Sequence, residues 1–110
     1  MATITYTVTV ATGTNQYGTG NKFYLNGTVS PDINLVEGNT YIFDQSDGTN
    51  SGHPLHFKDS SGSQYTTGVT VTGTAGQAGA KVTIVVPATG ALPTQYYCTV
   101  HGNGMGNIIS

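Results

Sequence analysis

The stretch Thr3-Ile4-Thr5-Tyr6-Thr7-Val8-Thr9-Val10 decides the fold class. Ile4, Tyr6, Val8 and Val10 take every second position and threonines fill the others, which is the period of a half-buried β-strand. Outward from it, strand-like runs follow at Lys22 to Asn26, Ile33 to Val36, Thr40 to Asp44, Leu55 to Lys58, Gly68 to Thr72, Lys81 to Val86, Gln95 to Val100 and Asn107 to Ile109. Turn signals such as Asn26-Gly27, Glu37-Gly38 and Asp47-Gly48 separate them. Nowhere do apolar residues recur at helical spacing for three turns. The pattern predicts an all-β fold, an antiparallel sandwich or barrel of about eight strands whose edges are managed by closure or Greek-key crossing. Residues 11–21 and 45–52 read as long irregular loops, and 72–79 as a wandering Gly/Ala/Thr-rich surface stretch. With no linker, charge run or repeat, residues 1–110 read as one domain, which at this length buries roughly two-thirds of its unfolded surface.

Composition narrows the classes of function. Three lysines, no arginine and five acidic residues give a net charge of -2, too little for a phosphate-binding surface, so nucleic acid is not an expected partner. The single cysteine, Cys98, excludes an internal disulfide and leaves its thiol inert, intermolecularly paired or a ligand. Residues 1–10 lack a basic segment followed by an apolar one, so no secretory signal is read, and no apolar run approaches the roughly 18 residues of a membrane span. The expectation is therefore the cytoplasm of the producing cell if the chain is full length, and the periplasm or cell exterior if it is a processed form. Asp32, Glu37, Asp44, Asp47 and Asp59 are scattered, and no carboxylate pair suits acid/base work, so an enzyme is not expected.

The chemistry concentrates near the C-terminus, in Tyr96-Tyr97-Cys98-Thr99-Val100-His101-Gly102-Asn103-Gly104-Met105-Gly106. A thiolate, an imidazole and a thioether spaced C-x2-H-x3-M are donor types for a trigonal His2Cys copper site with a weak axial Met. The glycines let a loop between two strands turn tightly around a small ion. A second imidazole must come from Gly52-His53-Pro54-Leu55-His56-Phe57. Strand parity selects His53, because it shares a face with the core residues Leu55 and Phe57, and turns His56 outward. The predicted ligands of one copper ion are His53, Cys98, His101 and Met105. Zinc competes for a Cys/His set, but a thioether does not help zinc.

These segments resemble the cupredoxins, the plastocyanin- and amicyanin-like blue copper proteins. In that family the first ligand is a His before a core strand with an aromatic residue four positions on, matched by His53 and Phe57. The others lie on a strand-to-loop segment near the chain end, matched by Cys98, His101 and Met105, with a last short strand matched by Gly106-Asn107-Ile108-Ile109. The Glu37-Gly38 turn before Tyr41-Ile42-Phe43 also fits. Two features depart from the pattern: Pro54 stands where Asn is common after the first His, and the three-residue gap between His101 and Met105 is unlike the commonest loops. A narrower resemblance, on Phe43 to Asp47, Gly52 to Leu55, Tyr65 to Thr70 and the Tyr-Tyr-Cys to Gly-Met-Gly segment, is to cupredoxin-like domains of marine bacteriophage structural proteins.

What the resemblance implies is a one-electron carrier with a mononuclear type 1 copper, meeting a redox protein partner near the edge of His101. The alternative it implies is a virion structural or decoration module whose partners are other virion proteins and whose copper is optional. Copper storage or delivery is a third use. Asn26-Gly27-Thr28 matches a glycosylation acceptor but reads better as a hairpin turn.

Overall fold

Alternation over residues 3–10 does produce a strand, and the strand is longer than the alternation. In the computed structural model, which describes residues Met1–Ser110, β1 covers Thr3–Asn15. Its first half pairs in parallel with β4 (Thr40–Asp44), Thr3 opposite Thr40 through Thr7 opposite Asp44. Its second half pairs antiparallel with β2 (Gly18–Leu25), Val8 opposite Leu25 through Asn15 opposite Gly18. Residues 11–21, expected as a loop, are therefore a hairpin closed by Gln16-Tyr17. The hairpin has few apolar residues because much of it faces water, so periodicity had little to register. Its ladder is reinforced across the strands by Thr14 Oγ1 and Thr19 Oγ1 at 2.8 Å and by the Tyr24 hydroxyl donating to Thr12 O at 2.9 Å.

The Asn26-Gly27 turn forms as expected, with φ of 51° and 84° at its two residues. Both values are positive, as the favoured two-residue hairpin turn requires, and the turn leads into β3 (Thr28–Val29). The expected strand at 33–36 does not form. Ile33 makes one isolated parallel bridge to Ile109, its N–H donating to Ile108 O at 3.1 Å and its carbonyl accepting from Ser110 N at 2.8 Å, and Leu35 N donates to Ser110 O at 3.4 Å; Ile33 and Leu35 bury their side chains. Pairing there stops at a single bridge, too short for a strand.

Two more strands, β7 (Val69–Thr72) and β8 (Lys81–Val85), complete the first sheet, in the order β3-β2-β1-β4-β8-β7. The second sheet has the order β10-β9-β5-β6, from β5 (Leu55–Lys58), β6 (Gln64–Tyr65), β9 (Gln95–Cys98) and β10 (Gly102–Ile108). The count is ten where about eight were expected from the turn spacing; β3 and β6 have two residues each, too short to carry an alternation.

The two sheets share one core, giving a sandwich-like all-β body. Val8, Phe23, Phe43 and Ile84 of the first sheet and Leu55, Phe57, Tyr96 and Cys98 of the second are all 0 % exposed and belong to a single cluster. Phe43 meets Phe57 across the layers edge-to-face, ring centroids 5.4 Å apart, and stacks on Tyr6 at 5.2 Å. Each buried Phe or Leu contributes about 1.5–3 kcal/mol relative to an exposed one. Cys98 sits inside this core, which fixes where any chemistry of its thiol takes place.

Candidate metal centre

Strand parity places the thiol. On β9, Tyr96 and Cys98 alternate into the core, and Cys98 lies opposite Leu55 of β5 and Gly102 of β10. The chain then leaves the sheet through a turn that carries His101 into solvent. His53 precedes β5 on the same side as Leu55 and Phe57, as parity required. Its Nδ1 is 3.1 Å from His101 Nδ1 and 3.9 Å from Cys98 Sγ, and the Cys98 to His101 distance is 3.6 Å.

Those three atoms fit a small ion. Bonds of about 2.0–2.1 Å to nitrogen and 2.3 Å to sulfur imply N–N separations of about 3.3–3.5 Å and N–S separations of about 3.6–3.8 Å in tetrahedral to trigonal geometry. The observed triangle departs from these by only a few tenths of an ångström. His53, Cys98 and His101 thus form a group able to hold a metal ion. Burial and the neighbouring His101 hold the His53 imidazole below its ordinary pKa, which favours the neutral form whose lone pair a metal can take.

Met105, the fourth predicted ligand, is 2 % exposed and belongs to the same core cluster as Cys98. It lies in a bulge. The register between β9 and β10 shifts between Gly102 and Asn107, so residues 103–106 lie opposite Tyr97 alone. Gly106 is obligatory in the bulge, because a Cβ there would overlap the carbonyl of Tyr96. His56 stays out of the group, on the other face of β5. It is half-buried rather than exposed, in a cleft shared with Gln45, Pro54, Val71 and Lys81, and burial lowers its pKa.

The supports of His53 were not apparent in the sequence. Gln45, 2 % exposed, donates from Nε2 to His53 O at 2.8 Å and to Asn50 Oδ1 at 3.1 Å, and accepts at Oε1 from Leu55 N at 2.9 Å. Asn50, 0 % exposed, donates to Val8 O at 2.8 Å, and its own carbonyl accepts from His53 N at 2.8 Å. The expected loop at 45–52 therefore contains a 3-10 turn, Gly48–Asn50, capped by the Asp47 carboxylate on Thr49 N. Pro54 has no N–H to offer a thiolate. Its carbonyl nevertheless accepts from Thr99 N at 3.2 Å and ties the two ligand segments together.

The β1–β2 hairpin supports the other ligand segment. Asn15 Nδ2 donates to Gly104 O at 2.9 Å and Gly106 O at 3.3 Å, Lys22 Nζ to Gly104 O at 2.6 Å, and Gln16 Nε2 to Asn107 Oδ1 at 2.7 Å. Comparison of the chain with protein-family models, curated proteins and solved structures finds no match. The site must be interpreted from its own geometry.

Proposed function

We propose that this chain is a cupredoxin-like one-electron carrier whose mononuclear copper is held by His53, Cys98 and His101, with Met105 as a weak axial ligand. The observation that carries the reading is the triangle of two imidazole nitrogens and one thiol sulfur at 3.1, 3.6 and 3.9 Å, with the thiol in the core and a buried thioether four residues beyond His101. Hard oxygen donors are absent from the group, and a thiolate with imidazoles and a thioether suits copper better than zinc. The parallel pairing of β1 with β4 and the non-sequential strand order in both sheets support a Greek-key path.

Copper would supply the one-electron couple. The protein's part is to keep its donors still while charge changes: Cys98 is fixed by ladder pairing on both sides, and His53 by the Gln45–Asn50 clamp. A preorganised donor set needs little reorganisation. His101 and Val100, the latter 65 % exposed, give a redox partner an accessible edge. With a net charge of -2, docking should depend weakly on ionic strength.

The test is copper(II) added to reduced apoprotein, followed by its visible spectrum. An intense thiolate charge-transfer band that bleaches on reduction and returns on oxidation is the expected result. A colourless protein that takes zinc in preference would overturn the copper assignment.

A further inference from the structure

Lys22 is 4 % exposed, whereas Lys58 is half-buried and Lys81 exposed. Burying an ammonium costs several kcal/mol unless its charge is compensated, and long lysine stems ordinarily carry the charge out to water. Here the ammonium's hydrogen bond is to Gly104 O at 2.6 Å, in the bulge between His101 and Met105. That carbonyl is already held by the neutral amide of Asn15 at 2.9 Å. Positioning the bulge therefore does not require a charge. A carbonyl is a dipole, and it leaves most of an ammonium's charge uncompensated.

We infer that Lys22 tunes the metal site: its buried ammonium, placed against the ligand-bearing bulge, favours the reduced form and raises the potential. The inference rests on the copper reading. A thiolate with a singly charged ion is neutral and the same thiolate with a doubly charged ion is cationic, so a fixed positive charge nearby penalises only the oxidised state. Being sheltered from solvent, Lys22 exerts this effect with little screening by salt.

The experiment measures the potential of the copper-loaded full chain for the wild type, Lys22→Gln, Lys22→Met and the surface control Lys81→Gln. Lys22→Gln keeps an N–H donor for Gly104 O and removes the charge; Lys22→Met removes both. Both should lower the reduced-to-oxidised ratio at a fixed ambient potential about tenfold, equivalent to about 59 mV for one electron, at low and high salt alike, with the control unchanged. A blue Lys22→Gln protein with an unshifted potential would overturn the inference, as would a shift confined to Lys22→Met, which would assign the residue to holding the loop. A wild type that gives no blue band would instead bring down the copper reading itself.

Discussion

The two histidines of the site stand in unlike surroundings. His53 belongs to a corner built from buried polar groups: Gln45 and Asn50, 2 % and 0 % exposed, spend their amides on His53, Leu55 and Val8. His101 rides an exposed turn after Cys98, and its ring Nδ1 approaches only the other two donors of the group. Rigidity is thus invested in one histidine and access in the other. The division suits a centre that holds its ion on the inner side and exposes it on the outer. It also means that stability and metal binding should respond differently to substitutions in the two halves.

The sharpest way to break the contrast is Gln45→Ala. It leaves the Leu55 N–H and the His53 carbonyl without partners in the interior, each costing about 1–3 kcal/mol. The apoprotein should lose about 3 kcal/mol in urea denaturation; a loss under 1 kcal/mol would mean that the corner is not held by this clamp. Gly106→Ala should cost about 1–3 kcal/mol, because the added Cβ meets the Tyr96 carbonyl, and it tests whether the exposed half has a fixed end. His101→Gln sharpens the contrast from the other side. Stability of the apoprotein should change by no more than about 0.5 kcal/mol, while metal affinity, measured by competition with a chelator, should fall by more than the roughly 10–100-fold that outer partners cost.

The smallest effect concerns His56. Burial lowers its pKa in the folded chain, so below the unfolded value of about 6.5 the unfolded chain binds more protons than the folded one. Stability should therefore be full above that pH and decline as pH falls through it toward the folded pKa. His56→Gln should flatten the decline in a series of apoprotein melts. An unchanged slope would show that His56 is solvated like any surface histidine.

Much of the site could be read from residue types and parity, because both are local. The C-x2-H spacing needs no knowledge of the fold, and the choice of His53 over His56 needs only that the strand alternate, which it does. The clamp could not be read in that way. Gln45 and Asn50 lie in a Gly/Ser/Asn-rich stretch where composition suggests water, and it takes β1, whose Val8 lies 42 residues from Asn50, to make Asn50 an interior residue. The same holds for Lys22: its cover comes from a bulge 82 residues away. For the fold, the all-β class followed from alternation. The β1–β2 ribbon was missed because its residues are small and polar, and the 33–36 segment was over-read because its pairing with residues 108–110 is confined to one bridge. Parity also gave the facing of His56 but not its cover, which β7, β8 and the residues between them supply.

Cys98 and His101 are three residues apart, whereas His53 is 45 residues from Cys98. The near pair survives unfolding; the third donor does not. A denatured chain therefore keeps a thiol and an imidazole close together, a pair of the donor types that suit soft ions. Any ion that this pair also holds in the unfolded chain will stabilise the folded state by less than its affinity for the finished site implies.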